Sequence, residues 1–122
     1  MAATLLDHTI PKTFSKRGFL DAKALAVELG MTPEEMARAV DRSRSQLNRA
    51  PDSPRIQADL RRLVTIAGRV RTLFAGSMES VRVWLNAPHP ELGNERPNAF
   101  LIQRRPEVVE ALIGAIEEGY PD

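Results

Sequence analysis

A chain of 122 residues, 43% hydrophobic and 27% charged, has the composition of one packed domain and not of a disordered or fibrous polymer. Its net charge of +1 hides a division along the chain, since residues 1–37 carry −1, residues 38–71 carry +6 from nine Arg against three Asp, and residues 72–122 carry −4. The absence of cysteine excludes disulfides, thiolate metal sites and cysteine nucleophiles.

No stretch alternates apolar and polar residues for long enough to make a strand, so the pattern predicts an all-α fold. Residues 1–19, with Thr, Lys, Ser and Pro11 among a few apolar anchors, read as an irregular leader without the apolar run of a signal peptide. No apolar run reaches the roughly 18 residues that a membrane span needs. A cytoplasmic protein without membrane contact is the expectation.

Asp21 is placed to cap a first helix that carries Ala22, Leu25, Ala26 and Leu29 at helical spacing, with Gly30 as its stop. Thr32, Pro33, Glu34 and Glu35 then form a capping box, with Pro at the first helical position where no N–H is missed. That helix continues through Met36, Ala37 and Val40. Ser43 offers a third cap, to a short helix holding Arg44, Ser45, Gln46, Leu47, Asn48 and Arg49 until Pro51 stops it.

Two short helices across a tight turn have the arrangement of a helix-turn-helix, with Met36, Val40 and Leu47 as the small core between them. Arg pairs in bidentate fashion with guanine, and Gln or Asn with adenine, so Arg44, Gln46, Asn48 and Arg49 suit base reading in a major groove. Ser43 and Ser45 lie on the same segment, and Arg38, Arg42, Arg55, Arg61 and Arg62 are placed to meet phosphates. The turn has Asp41 and Arg42 where such turns often carry Gly.

Downstream, 55–74 reads as a long helix with Ile56, Leu60, Leu63, Val64, Ala67, Val70 and Leu73 on one face, closed by Gly76. Ser77 caps a helix through Val81, Trp84 and Leu85. Residues 86–97 hold three prolines and a glycine and read as a loop. Short helices over 98–103 and 106–118 complete the chain, the last stopped by Gly119. Three segments follow: the leader 1–19, a helix-turn-helix region 20–75 and a small helical region 76–122.

His8 and His89 form no i, i+4 metal pair, and His89, with Glu91 or Glu95 as acid–base partners, has neither a nucleophile nor a phosphate-cradling glycine loop nearby. The expectation is no enzyme, no catalytic residue, no metal and no cofactor.

Trp84, Leu85, Asn86, Ala87, Pro88, His89, Pro90, Glu91, Leu92 and Gly93, followed by Pro97, Phe100 and Leu101, spell W-L-N-x-P-x-P-x-L-G before a Pro-led apolar helix. This resembles the toxin-binding domain of the antitoxin Xre/MbcA/ParS family. The likeness covers roughly residues 20–119. It extends to the first half through Leu29, Gly30, Thr32, Glu34, Glu35, Ala37, Val40, Ser43, Leu47 and Arg49, and to the last helix through Val109, Leu112, Ile113, Ile116, Glu117 and Gly119.

The resemblance implies a non-enzymatic antitoxin, a homodimer that neutralises a RES-domain, NAD-consuming toxin by obstructing its cleft and binds operator DNA to regulate its own operon. It assigns toxin contact to Trp84, Pro88, Leu92, Pro97, Phe100, Arg104, Glu117, Glu118 and Tyr120. An acidic C-terminal block complements a cleft built for dinucleotide phosphates. The alternative is a stand-alone helix-turn-helix regulator whose C-terminal helices serve dimerisation.

Overall fold

The computed structural model describes residues 18–119; most of the leader and the site candidate Tyr120 lie outside them. The fold is all-α. Its elements are α1 (Ala22–Leu29), α2 (Pro33–Ala39), α3 (Arg44–Arg49), α4 (Pro54–Leu73), α5 (Met78–Asn86), a 3-10 turn (Pro90–Leu92), α6 (Pro97–Ile102) and α7 (Pro106–Glu117).

The ends of these helices follow from local chemistry. Asp21 accepts from the N–H groups of Lys23 and Ala24, and Gly30 closes α1 in the left-handed region. Thr32 and Glu35 cap α2 reciprocally, with Pro33 at its start. Ser43 and Gln46 form a second capping box at α3, and Ser77 accepts from the Ser80 N–H at α5. Each satisfied cap stabilises its helix by about 1 kcal/mol. Asp41 takes up the turn between α2 and α3 at φ 56°, a conformation in which Asp is tolerated where Gly is commoner.

The 20-residue α4 is the axis of the molecule. Its buried face, Ile56, Leu60, Leu63, Val64, Ile66, Ala67 and Val70, recurs with helical period. α1, α5 and α7 pack against α4, α2 against α1 and α6, and α6 between α5 and α7. Leu25, Leu29, Val40, Leu60, Val81, Leu85, Leu101, Val109 and Ile113 therefore belong to a single hydrophobic cluster, so the core runs without a break across residue 75. A fully buried Leu contributes about 2 kcal/mol.

Gln57 is buried on α4. Its Oε1 accepts from the Leu20 N–H at 2.9 Å, while Nε2 donates to the carbonyls of Leu20 and Pro51, each at 2.9 Å. One amide thus satisfies three backbone groups that the entering chain and the α3–α4 turn would otherwise bury unpaired.

Candidate functional site

On α3 the side chains of Arg44, Ser45, Gln46, Asn48 and Arg49 are exposed, and Leu47 turns inward against the core. The period of the helix sets this division, because a six-residue helix presents one inward position per turn. Arg38 on α2 and Arg61 on α4 are also exposed. Among the described residues, no carboxylate lies within ion-pair distance of Arg38, Arg42, Arg49 or Arg61. Of the four, Arg42 is bonded to a backbone carbonyl, whereas Arg38, Arg49 and Arg61 carry no ion pair within the described molecule.

Several of the side chains expected at DNA are partly committed inside the molecule. Arg44 Nη1 pairs with Glu34 at 3.0 Å, Arg55 approaches Asp41 at 3.8 Å, and Arg42 donates to the Asp41 carbonyl at 2.7 Å. The Ser43 N–H donates to Gln46 Oε1 at 2.8 Å, and the Gln46 N–H to Ser43 Oγ at 3.1 Å. Ser43 and Gln46 thus hold the start of α3, and the amide oxygen a bidentate adenine contact needs is already an acceptor. Arg62, expected at phosphates, instead lies in an ion pair with Glu110.

In the second candidate region, the proline-rich loop is an ordered unit. Pro90 starts the 3-10 turn and Gly93 leaves it at φ 67°. The His89 N–H donates to the Glu95 carbonyl at 3.1 Å, closing the loop at its base. The His89 ring donates from Nε2 to the Trp84 carbonyl at 3.0 Å and rests against the indole, with ring centroids 4.8 Å apart. His89 is therefore a structural part of this loop. Trp84 is half-buried, Leu92 half-buried and Pro88 exposed.

The other residues assigned to toxin contact do not form one exposed face with these. Pro97 is buried at the start of α6. Phe100 is half-buried under the Arg105 guanidinium, 5.4 Å from the ring centroid. Arg104 reaches back across α2 to the Ala39 carbonyl at 3.2 Å and to Asp59 at 3.3 Å. Glu117 accepts two bonds from Arg69, at 2.6 and 3.0 Å. Glu118 is exposed at the end of α7.

Between the two regions lies a polar cluster whose role the sequence did not disclose. Asn86 Nδ2 donates to the Leu29 carbonyl at 3.1 Å and the Arg82 carbonyl at 2.9 Å. Its Oδ1 accepts from Arg96 Nη1 at 3.0 Å and Asn98 Nδ2 at 3.2 Å. Asn98, wholly buried, also donates to the Leu29 carbonyl at 2.9 Å. Arg96 Nη2 continues the chain to Glu35 Oε2 at 3.0 Å.

The free carbonyl at the end of α1, the capping box of α2 and both ends of the proline-rich loop are thereby tied together. Glu35 is held below the ordinary carboxylate range, first by the Thr32 N–H and then by Arg96, against the opposing effect of burial. Gly30 is required here for two reasons. Its φ is 71°, and a Cβ would lie 2.7 Å from Asn86 Nδ2 and 2.9 Å from Arg82 Cγ. Asn86 stands in the W-L-N stretch, but only the folded chain places Leu29, Glu35 and Asn98 around it.

Among the described residues, no group of three or more His, Asp or Glu side chains is arranged to hold a metal ion, and no helix is long and apolar enough to cross a membrane. Compared with family models, curated proteins and solved structures, the chain matches none.

Proposed function

We propose that this chain is a non-enzymatic antitoxin that captures a RES-domain, NAD-consuming toxin through its C-terminal half, obstructs the toxin's cleft, and binds operator DNA through α2 and α3. The observation that carries the reading is the folded W-L-N-x-P-x-P-x-L-G stretch. It is the last turn of α5 followed by a loop bonded at its base and leading by Asn86, Arg96 and Glu35 directly to the helix that precedes α3. Two unlike surfaces are built on that frame. One carries guanidinium groups without carboxylate partners; the C-terminal half carries the exposed Pro88 and the exposed acids Glu95, Glu107 and Glu118, a negative charge that suits a phosphate-binding cleft.

The test is growth rescue. Co-expression of the chain with a RES-domain toxin should restore both growth and cellular NAD, and the purified pair should elute as one complex. Continued loss of NAD in the presence of soluble antitoxin overturns the reading.

The internal ion pairs of Arg104 and Glu117 favour a second reading, a stand-alone regulator whose C-terminal helices brace α4 and meet no toxin. Under it, the chain retards its own promoter DNA in a gel and rescues nothing.

A further inference from the structure

The first half of α1, the start of α2 and the inner side of α3 enclose a cleft of about 270 Å³ that is half open to solvent. Phe19, Ala22, Ala26, Met36, Leu47 and Pro51 give it a mostly apolar wall. The space is left by α3, which buries none of its six side chains completely; even Leu47, its inward position, is only half-buried. Met36 is at the floor, and its unbranched thioether adapts to shapes that branched side chains reject.

Three charged side chains stand at the mouth, and two of them are committed. Asp21 Oδ1 accepts from the N–H groups of Lys23 and Ala24 at the start of α1, and Arg44 is paired with Glu34. Lys23 is exposed, and among the described residues no carboxylate lies within ion-pair distance of it.

We infer that this cleft binds a small apolar monocarboxylate, a medium-chain aliphatic or single-ring aromatic acid. Its hydrocarbon body fills the space beneath Leu47 and its carboxylate meets the Lys23 ammonium. An apolar enclosure with a few polar groups at its edge is the common form of a small-molecule site. One uncommitted ammonium balances one negative charge, so a carboxylate suits the mouth, a dianionic phosphate ester is left half neutralised, and an amine meets a like charge. Phe19, Ala22, Lys23, Ala26 and Pro51 belong to neither the DNA nor the toxin contact proposed above, so the site stands or falls separately from both. Only its consequence rests on that reading: an occupant touching Leu47 braces the helix assigned to DNA.

The test titrates the full chain with three seven-carbon probes, heptanoate, 1-heptanol and heptylamine, and follows methyl NMR signals. Heptanoate should shift the Ala22, Met36 and Leu47 methyls saturably with a Kd on the order of 1 mM, about threefold tighter than 1-heptanol, with heptylamine weakest. Lys23→Gln, at an exposed position, should bring heptanoate to the affinity of 1-heptanol and leave 1-heptanol unchanged. Ala22→Leu, which fills the cleft, should weaken both. Equal affinity for the three probes, an unchanged heptanoate affinity in Lys23→Gln, or no saturable shift up to about 10 mM overturns the inference. So do shifts centred on Phe74 and Trp84, or a nuclear Overhauser contact of Leu47 with Leu5, Leu6, Ile10 or Phe14, which would give the cleft to the chain's own N-terminus.

Discussion

The arginines of α2 and α3 and those along the seam between α4 and α7 come from the same cationic stretch of sequence, yet they are in opposite situations. Arg38 and Arg49 stand in solvent without a carboxylate partner. Arg62 and Arg69, seven residues apart on α4, each make a two-bond fork with Glu110 and Glu117, seven residues apart on α7. Seven residues are two helical turns, so both pairs fall on one line where the helices touch. A +6 segment is therefore not a +6 surface: part of that charge fastens the acidic C-terminal helix to the long helix. Net charge by segment overstates what either half offers a partner.

The largest expected effect comes from separating the halves. A fragment ending at residue 75 loses Val81, Leu85, Leu101, Val109 and Ile113, all buried in the shared cluster, each worth about 1.5–3 kcal/mol. That loss is comparable to the whole stability of a typical small domain. The fragment should show no cooperative thermal transition by circular dichroism; a sharp melt would mean that the cationic half stands alone after all.

Next in size is Gly30→Ala, which combines left-handed backbone strain with collision against Asn86 and Arg82. Urea unfolding should register a loss on the order of 2–4 kcal/mol. A loss below about 1 kcal/mol would show that the polar cluster yields without cost, and that the two regions are coupled weakly.

What the sequence disclosed and what it withheld divide along the same physical line. Caps, stops and the periodic face of α4 depend on neighbours within a few residues, so Asp21, the Thr32–Glu35 box, Ser43, Ser77, Gly30 and Gly76 could be read directly, with helix ends displaced by a residue. The seam and the polar cluster depend on partners 48 to 69 residues away, which no local pattern encodes. Asn98 resembles any polar residue at a helix start until the fold buries it. Arg104 and Glu117 looked available for a partner because the residues that occupy them, Asp59 and Arg69, lie on the opposite side of the long loop. The sequence marked two candidate regions, but not which of their side chains the fold commits to internal bonds.

The cationic face gives the third test. Replacing Arg38 and Arg49 together with Ala should reduce the slope of log affinity against log salt for any DNA bound there by about 0.9 for each lost phosphate contact. Glu34→Gln should have the opposite sign, because it releases Arg44 from its 3.0 Å pair; tighter retardation is the outcome expected. Arg62→Ala should leave the slope unchanged, since its guanidinium is turned to Glu110. A slope that falls with Arg62 would place DNA on the seam and dissolve the contrast between the regions.

The smallest effect tests the seam itself. Exposed pairs contribute little, but forked geometry and partial burial place Arg69–Glu117 near the upper end, at about 1 kcal/mol of coupling in a double-mutant cycle, against about zero for the 3.8 Å contact of Arg55 with Asp41. The companion pair is also visible in acid. Arg62's bond holds Glu110 below its ordinary carboxylate value, so in the window beneath about pH 4.5 the unfolded chain binds the proton more readily than the folded one. Stability from this pair is complete above that pH and is lost as the pH falls through the depressed value. Glu110→Gln, whose side chain does not titrate, should therefore flatten the acid limb of the stability curve while lowering its plateau. An acid limb as steep as that of the wild type would mean that the seam contributes nothing to acid sensitivity, leaving Glu35 and its Arg96 partner as its source.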